Sequence, residues 1–405
     1  MIRRLLIALG VLAAISTLTP AAASGATRII SVYGSTTSPT CALANPCEIV
    51  HGFKDVASGG DEIVIEPGVY ELGDTNVQFT DAKGPLKIHG AAGAPPPTIT
   101  GTIWNMDLLH PSTRVSGLHL ISSAPNDAPL ALTRGAVGER LVVQSGASNP
   151  GMGSCFVNNT ALLRDSVCIS NATASGGAAV QSQGCLGCFG GPETSVATIR
   201  NVTAVVNGPS GHAIRTQADG SPPGHDATLH VFNTIAYRGD VDAEAAPGAV
   251  RAKITLSHSN VGATTTTGAP AASITNDGTD QNQALQPPRF VNPPFGDFRE
   301  RFGSPTIDHG ASNPANGLLD FDGDPRIAGA RTDIGADEFI PCVVPKLKGD
   351  TLSKAKKALN TAHCRLGRVT RKKSKKKPGR VISQKPKPGT ILANGAQVSV
   401  VVSKT

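Results

Sequence analysis

The side chains that could support chemistry concentrate in one stretch of the chain, between residues 212 and 251. This stretch contributes imidazole, guanidinium and carboxyl groups at His212, Arg215, Asp219, His230, Arg238, Asp240 and Arg251. Acid–base catalysis requires such groups within reach of the reacting bond, and glycoside hydrolysis requires two carboxyl groups that flank it. His212, Arg215 and Asp240 are therefore the candidate catalytic residues. Because no complete catalytic set is present, the alternative is that all seven are solvated turn residues.

A second group of candidate ligands is a loop rich in aspartate near residue 320. The loop alternates acidic residues with a phenylalanine and a turn glycine, as calcium loops do, and its candidate ligands are Asp320, Asp322 and Asp324. It lacks the distal glutamate of an EF-hand. The alternative is structural: acids of the segment 308–337 surround Arg326 and Arg331 and tie irregular loops together through charge-assisted hydrogen bonds. The missing ligand favours the structural interpretation, and we expect no other cofactor.

The strongest charge signal lies near the C-terminus. Six of the seven residues from 371 to 377 are basic, namely Arg371, Lys372, Lys373, Lys375, Lys376 and Lys377. So many like charges repel one another, which predicts a solvated loop. Such a loop attracts anionic polymers, such as teichoic-type phosphates, acidic glycans or lipid headgroups. Residues 341–405 carry 17 basic residues and one acidic residue, whereas residues 27–340 carry 18 basic and 29 acidic residues, so the two parts are expected to bind different partners.

All eight cysteines follow the first 40 residues, an even number that suits disulfides in an oxidising compartment. The sequence alone does not fix their pairing. Proximity favours three bridges, which are Cys41–Cys47, Cys155–Cys168 and Cys342–Cys364. The remaining Cys185 and Cys188 form a CxxC pair, which can be redox-active or half of a zinc site. No second CxxC or paired histidine lies nearby, which favours a vicinal bridge or two free thiols.

A short phrase recurs in the stretch 114–261 that must position these groups. Each copy has an apolar residue, then a small or amide residue, then apolar residues at every second position. The copies are centred on Gly117, Asp165, Asn201, Asn233 and Asn260, with a weaker copy at 139–143. The last four centres are spaced by 36, 32 and 27 residues. Strands of period two that return at this spacing, with joints rich in glycine and serine, predict a solenoid of stacked strands. Aliphatic side chains fill such a core, which fits an aromatic content of only 4%.

Two segments resemble a known fold. A cysteine-containing segment (40–57) whose apolar pattern suits a short helix is followed by GGDEIVIEPGVYEL (59–72), and this start resembles that of secreted right-handed parallel β-helix proteins of the pectate-lyase-like superfamily. The segment from RFVNPPFGDF to DIGADEF (289–339) resembles the closing coils of bacterial surface β-helix proteins. The resemblance implies a right-handed parallel β-helix over residues 27–340. The residue patterns of pectinase-type hydrolases, such as Gly-His-Gly and Arg-Ile-Lys, are absent.

The C-terminal residues resemble a second family. A Val-Pro entry at 344–345, a helical pattern over about 351–362 and the strand segments GRVISQKPKPG and AQVSVVVSK match the PASTA domain, the small β-α-β-β module of penicillin-binding proteins and wall-sensing kinases. The resemblance implies a separate small α+β domain over residues 341–405 that binds peptidoglycan or an anionic wall polymer. The cysteines at 342 and 364 and the basic run depart from the family pattern.

The N-terminus is typical of an exported protein. Arg3 and Arg4 precede an apolar run from Leu5 to Leu18 and small residues up to Ala26, which predicts a cleaved signal peptide over residues 1–26. No later segment is apolar enough to cross a membrane. We therefore expect a secreted protein, extracellular or associated with the cell wall, and no nucleic-acid partner.

These observations predict a mainly β protein with two domains. The first hypothesis is a wall-associated glycan-binding or adhesion protein, whose β-helix face contacts an extended extracellular polysaccharide while the PASTA-like domain binds the wall. The alternative is a polysaccharide lyase or glycoside hydrolase that the PASTA-like domain tethers. Lyases of this fold use calcium and a basic residue on uronate substrates, and hydrolases use carboxyl pairs, so the two hypotheses differ in the residues they require.

Overall fold

The computed structural model describes residues 25–74, 77–123, 128–146, 152–173, 176–184, 194–222 and 224–404, with the backbone only for residues 103–105. Residues 1–24 of the predicted signal peptide and the CxxC pair at 185 and 188 lie outside the described residues, so both stay predictions. Among the helices of the described residues, none is long and apolar enough to span a membrane.

Short strands dominate residues 27–300. They are β1 (Thr27–Ser35), β2 (Glu62–Ile65), β3 (Val69–Glu71), β4 (Val77–Thr80), β5 (Lys87–Gly90), β6 (Thr98–Gly101), β7 (Ile103–Leu108), β8 (Arg114–Ser122), β9 (Leu130–Leu132), β10 (Val137–Ser145), β11 (Gly153–Val157), β12 (Leu162–Ser170), β13 (Ala178–Gly184), β14 (Thr194–Val206), β15 (His212–Ala218), β16 (Asp226–Phe232), β17 (Ile235–Tyr237), β18 (Asp240–Ala245), β19 (Arg251–Ser257), β20 (Asn260–Val261), β21 (Thr264–Thr267), β22 (Ala272–Asn276), β23 (Gln281–Asn282), β24 (Phe290–Asn292) and β25 (Asp297–Glu300).

Most of these strands form two parallel sheets. The long sheet runs in the order β1-β2-β5-β8-β10-β12-β14-β16-β19-β22, with further strands beside this path, and the short sheet runs β4-β7-β9-β11-β13-β15-β18-β21. Because the chain visits the two sheets in turn, each circuit adds one coil. The arrangement confirms the predicted right-handed parallel β-helix.

The core between the sheets consists of aliphatic rows. Parallel register places one residue from each coil directly above the equivalent residue of the previous coil. One such row consists of Ile63, Ile88, Val115, Gly138, Leu163, Ile199, Val231 and Leu256, all aliphatic except the glycine. All of these side chains are buried. Each fully buried aliphatic side chain contributes about 1.5–3 kcal/mol relative to an exposed one, so burial of this row favours the stacked coils.

A column of left-handed residues explains the recurring phrase. Register aligns Gly117, Arg140, Asp165, Asn201, Asn233 and His258, which all have φ between 48° and 63°. Glycine, asparagine and aspartate tolerate this conformation best, and the bend there turns each strand of the long sheet from one face to the next. The alignment of Asn260 with Asn233 was wrong. His258 takes the left-handed position, and Asn260 pairs instead with Ile235.

The N-terminal cap has the predicted cysteine bridge and helix. Glu48 accepts hydrogen bonds from two backbone amides at the start of helix α1 (Ile49–His51), which continues as one π-helical turn (Gly52–Val56). Phe53 of that turn packs against Phe79 of β4, with 4.9 Å between the ring centroids. Cys41 and Cys47 are bonded to each other and join the same core. The cap therefore covers aliphatic side chains of the first coils.

Residues 289–340, here called the flank segment, do not form closing coils as predicted. The antiparallel pair β24–β25 begins the segment, which contains short 3-10 turns at Pro293–Phe295 and Pro314–Asn316. Its apolar side chains Phe290, Phe298 and Ile334 pack on Val205 and Ile235 of the long sheet. The amide of Ala336 donates to Thr203 Oγ1 across 133 residues. The segment thus lies along the side of the stack, because long-sheet residues beyond the left-handed column present apolar side chains outward.

The last coil before it comprises β21, β22 and β23, in the stretch 262–288 that is rich in threonine and glycine.

The C-terminal domain comprises β26 (Cys342–Val343), helix α2 (Leu352–Thr361), β27 (Arg365–Lys373), β28 (Val381–Lys385), β29 (Ile391–Leu392) and β30 (Gln397–Lys404). Thr351 caps α2 by accepting from the Lys354 amide, and β30 pairs in parallel with β27 and antiparallel with β28. Buried residues of α2 and the strands form a separate core cluster. This confirms a small α+β domain after the β-helix.

Candidate functional site

The three candidate catalytic residues lie together on the outside of the short sheet. Strand β18 reads Asp-Val-Asp-Ala-Glu-Ala (240–245), in which Val241 and Ala243 join the core, Asp240 and Glu244 are half-buried, and Asp242 is buried. Register places His212 of β15 beside Asp240, Arg215 beside Asp242, and Gln217 beside Glu244. The polar ladder, as we call it, comprises Gln181, His212, Arg215, Gln217, Asp240, Asp242 and Glu244.

Hydrogen bonds and ion pairs connect the members of the polar ladder. His212 Nδ1 lies 2.7 Å from Asp240 Oδ1, and Arg215 Nε lies 3.3 Å from Asp242 Oδ2. Arg215 Nη2 also bonds Glu244, which accepts a hydrogen bond of 2.8 Å from Gln217. The cationic groups are therefore engaged by neighbouring carboxylates, whereas a lyase base must be free to take a proton from its substrate.

The pKa values of the three acids of the polar ladder are shifted in different directions. Burial raises the pKa of Asp242 above its usual value. Burial has the same tendency at Asp240, but hydrogen bonds from His212 and Thr265 outweigh it and lower the pKa of Asp240. At Glu244 burial is likewise outweighed, by Gln217 and Arg215, so its pKa is lowered. Neighbouring carboxyl groups with pKa values shifted in opposite directions are a pattern that hydrolases use.

The other four residues of the predicted cluster lie elsewhere. Arg251 forms an ion pair with Asp226 at 2.6 Å, and His230 Nδ1 lies 2.8 Å from a threonine hydroxyl, both on the long sheet. Asp219 accepts hydrogen bonds from Ser221 in a turn. The guanidinium of Arg238 stacks over a tyrosine ring. The predicted seven-residue group is therefore divided, and its part on the short sheet is the part that can act together.

The predicted calcium ligands are only partly brought together. Carboxylate oxygens of Asp320, Asp322 and Asp337 lie within 4.8 Å of one another. Asp324 is not in this group. Its Oδ2 accepts a hydrogen bond of 2.5 Å from Asn394 Nδ2 in the C-terminal domain. The prediction of Asp324 as a ligand is thus not supported by its position, and Asp337 takes the corresponding place.

The predicted arginine knot is present around Arg326 but includes an acid from outside the segment. Arg326 is buried, its Nη1 lies 4.0 Å from Glu338 of its own segment, and its Nη2 lies 2.9 Å from Asp165 of the left-handed column. Its two terminal nitrogens also donate to the carbonyl oxygens of Gly335 and Ala336. Arg331 has an exposed side chain. Arg326 therefore fixes the flank segment to the β-helix. Arg331 takes part through its backbone amide, which donates to Asp308 Oδ1 at 2.9 Å.

The basic run is exposed but only half of it is a loop. Arg371, Lys372 and Lys373 end strand β27, where they pair with Val402, Ser403 and Lys404 of β30. Lys375, Lys376 and Lys377 lie in the turn that follows. All six side chains are exposed. Strand β27 can hold three consecutive basic residues because successive side chains of a strand point to opposite faces of the sheet.

Sequence reasoning missed several members of these groups. Asp242 and Glu244 carry a visible signal, since they alternate with Val241 and small apolar residues at period two. Asp165, the partner of Arg326, carries no such signal, because the contact joins distant parts of the chain. Three disulfides join the cysteines that proximity had paired, Cys41–Cys47, Cys155–Cys168 and Cys342–Cys364.

Comparison with known proteins gives two findings. Residues 343–404 match the model of the PASTA domain. Among solved structures, the crystal structure of pectate lyase Pel9A is similar to this chain, with a TM-score of 0.41 and 11% sequence identity over 78% of this chain and 96% of that one. A likeness of this level does not extend to activity. Comparison with curated proteins found no match. The C-terminal residues 343–404 thus form a PASTA domain, which follows a parallel β-helix.

Proposed function

We propose that this is a secreted, wall-associated protein that binds glycan and acts in adhesion. In this proposal the PASTA domain binds peptidoglycan or an anionic wall polymer, and the β-helix contacts an extended polysaccharide through the polar ladder. The observation that carries the proposal is the PASTA match together with six exposed basic side chains on that domain.

Charge supports the wall-binding part. Residues 341–405 have a net charge of +16, and the basic run contributes six of these charges within seven residues. The side chains are exposed, so they can approach a polyanion without losing their hydration first. Binding of this kind depends on ionic strength, because salt screens charges over about 8–10 Å at 0.1–0.15 M.

Geometry supports the glycan-binding part. Neighbouring strands of a sheet are about 4.8 Å apart, so the half-buried ladder residues of β15 and β18 offer hydrogen-bonding groups on adjacent strands. The carboxyl groups of Asp240 and Glu244 reach this surface beside the half-buried Arg215, whereas Asp242 is buried. A uronate polymer would be repelled by this charge, so neutral or amino sugars are the favoured ligands.

The test of wall binding compares two triple variants of the full chain. Lys375, Lys376 and Lys377 are changed to glutamine in the first, and three exposed lysines of α2, namely Lys354, Lys356 and Lys357, are changed in the control. Both lose three charges. We expect the first to be retained on purified cell wall at least tenfold less than the wild type at 0.15 M salt, and the control much less affected. Equal loss in both would show that net charge rather than the basic run is responsible.

The glycan-binding part is tested separately with a glycan array. The wild type is compared with Asp240→Asn and Glu244→Gln, which keep the shapes of the half-buried side chains. We expect binding to neutral or amino-sugar polymers that both variants weaken. Binding to uronate polymers alone, or no binding, would contradict this part of the proposal without affecting the PASTA part.

A second candidate function is a glycoside hydrolase or polysaccharide lyase tethered by the PASTA domain. The opposite pKa shifts of Asp240 and Asp242 favour it, because one carboxyl group would be kept protonated longer than its neighbour. A reducing-end assay detects hydrolase products, and absorbance of unsaturated uronate detects lyase products. Activity that His212→Ala or Asp240→Ala abolishes would establish an enzyme and replace the adhesion proposal.

A further inference from the structure

The β-helix ends, on the side away from its N-terminal cap, in two edge strands. Strand β21 is the last strand of the short sheet, and β22 is the last strand on the main path of the long sheet. Each is paired on one side, β21 with β18 and β22 with β19, and no other strand of the described residues pairs with either. The outer edges of β21 and β22, here called the open end, therefore present backbone N–H and C=O groups that a further strand could bind.

The flank segment does not cover the open end. It begins after β23, whose Gln281 donates a hydrogen bond of 2.6 Å to the carbonyl oxygen of Pro305, and then follows the side of the stack. All residues from 262 to 270, which include the whole of β21, are exposed. Register places Thr264 and Thr266 directly above the buried Val241 and Ala243, so even the core-facing positions of β21 meet solvent.

The open end also has none of the usual protection of a sheet edge. Proteins keep free edges from pairing with charged side chains, with proline in the strand, with bulges or with a covering segment. Residues 262–276 read GATTTTGAPAASITN and contain no charged residue, and their one proline lies in the turn between the strands. An uncharged edge rich in β-branched residues is typical of an edge that is paired in the working protein.

We propose that the open end binds the open end of a second copy of this chain, so that two β-helices join end to end. In each coil the chain passes along the long sheet and returns along the short sheet, so β21 and β22 run in roughly opposite directions. A two-fold axis parallel to the strands then places β22 of each copy beside β21 of the other. Both pairs are antiparallel and equivalent, as a two-fold interface requires, and strands of four and five residues match in length.

The side chains fit this pairing. Both strands present hydroxyl groups on the outer face of the sheets, those of Thr265, Thr267, Ser273 and Thr275. Hydroxyl side chains on neighbouring strands form favourable pairs through hydrogen bonds. On the inner face, Ile274 extends the core row above Ile254 but is only partly buried, and a second copy would cover it.

Two observations favour a second copy over a peptide segment of another protein. The open end has two free edges on opposite sides of the coil, and one extended peptide can pair with only one of them, whereas a second copy pairs with both at once. Residues 27–340 have a net charge of −11, so two copies repel each other over most of this surface, but the open end lacks charge and can be brought together without that cost.

The other end of the stack limits the assembly to two copies. The cap of α1 and its π-helical turn covers the first coils, so the stack cannot grow in that direction. The dimer carries two PASTA domains. If these bind the wall as proposed above, the two together bind more tightly than one, because the second binding event is intramolecular. The end-to-end contact itself does not depend on that function.

The experiment measures the mass of the full chain by sedimentation velocity over a series of concentrations. We expect the wild type to sediment as a dimer that dissociates on dilution. The double variant Thr267→Lys/Thr275→Lys places like charges on neighbouring strands in both contacts, and it should raise the dissociation constant of the dimer by about tenfold or more. Both replaced side chains are exposed, so the fold of the single chain should be retained.

The matched control is Thr267→Lys/Thr275→Glu, which loses the same hydroxyl groups but brings opposite charges together. It should dimerise about as tightly as the wild type. Hydrogen exchange gives a second measurement, because amides of 264–267 and 272–276 should lose protection on dilution of the wild type while amides of the inner coils keep theirs.

Four results would overturn the proposal. A wild type that is monomeric at every concentration would show that the open end does not bind a second copy. A Lys/Lys variant that dimerises as tightly as the wild type would place the contact elsewhere. A folded Lys/Glu variant that stays monomeric would show that the two strands do not face each other. Assemblies larger than two copies would show that the cap does not close the stack.

Discussion

The contact between Arg326 and Asp165 makes a quantitative prediction about how the flank segment is held. Both side chains are 2% exposed, and the guanidinium Nη2 lies 2.9 Å from Asp165 Oδ1. Replacing Arg326 with methionine preserves much of the aliphatic volume but removes the closest charged partner of Asp165, which keeps the hydrogen bond from Asn201 and the ion pair with Arg164 at 3.7 Å. Breaking a buried pair costs about 3–5 kcal/mol when the remaining charge loses its main partner.

A double-mutant cycle isolates the charge. Asp165→Asn keeps an oxygen that can accept the 3.0 Å hydrogen bond from Asn201, so it is expected to be milder than Arg326→Met. The double variant contains no buried charge at this position and should cost less than the sum of the two single variants, with a coupling energy of about 2 kcal/mol. Arg331→Met is the control, because it makes the same chemical change at an exposed position and should alter stability by less than about 0.5 kcal/mol.

Urea unfolding followed by circular dichroism gives the free energies, and hydrogen exchange at the amides of 333–338 reports whether the flank segment opens before the β-helix does. In Arg326→Met we expect these amides to exchange faster while amides in the coils keep their protection. A cost below about 1 kcal/mol, or single-variant effects that simply add, would refute the argument that this pair holds the segment.

Further predictions concern the β-helix itself. Burial raises the pKa of Asp280 to about 6, so the folded state disfavours the ionised form, and the wild type loses stability as the pH rises from about 4 to 6. The free energy of unfolding of Asp280→Asn should therefore exceed that of the wild type by about 1 kcal/mol at pH 7.5 and be almost equal to it at pH 3.5. Urea titrations at both pH values would show this difference. Changing Cys155 and Cys168 to serine removes a bridge over 13 residues and should lower the free energy of unfolding by about 3 kcal/mol relative to the oxidised wild type, as urea unfolding of both would show. Gly335→Ala places a methyl group 2.7 Å from Ile235 Cδ1 at a φ of +111° and should cost about 2–4 kcal/mol in thermal unfolding, whereas a wild-type melting curve would contradict the close packing.

The coils could be predicted because their signal is local. Alternating apolar residues and a left-handed residue in each copy are enough to indicate stacked strands, and Asn201 and Asn233 mark the column directly. The same reasoning failed at the last copy, where His258 takes the left-handed position. Asparagine is preferred at the left-handed position but not required. An alignment based on residue type alone therefore put Asn260 in the column, two residues after the correct residue, His258.

The flank segment could not be predicted because its partners are distant. Its sequence resembles closing coils, yet Ala336 bonds Thr203 across 133 residues and Asn201 bonds Asn316 across 115. Apolar residues such as Val205 and Ile235 gave the only hint, since they alternate toward the outside of the long sheet. An outward apolar row requires a cover, but the sequence does not indicate which segment supplies it.

The polar ladder shows the same division between local and distant information. The alternation in 240–245 predicts three outward acids, whereas the pairing of Arg215 with Asp242 depends on a register that crosses one complete coil. Glu300 and Asp337 are joined by the fold of an irregular segment, where no periodicity exists. Sequence patterns thus identify surfaces of regular strands more readily than sites made by loops.

The opposite charges of the two parts restrict how the protein can act. An anionic polymer that the PASTA domain attracts is repelled by residues 27–340, whose net charge is −11. The same polymer therefore cannot lie favourably along both the basic run and the acidic polar ladder. If both surfaces bind ligands, the ligands differ in charge, and the protein connects two kinds of molecule rather than wrapping one. That arrangement is what adhesion requires, and an enzyme anchored beside its own anionic substrate would not need it.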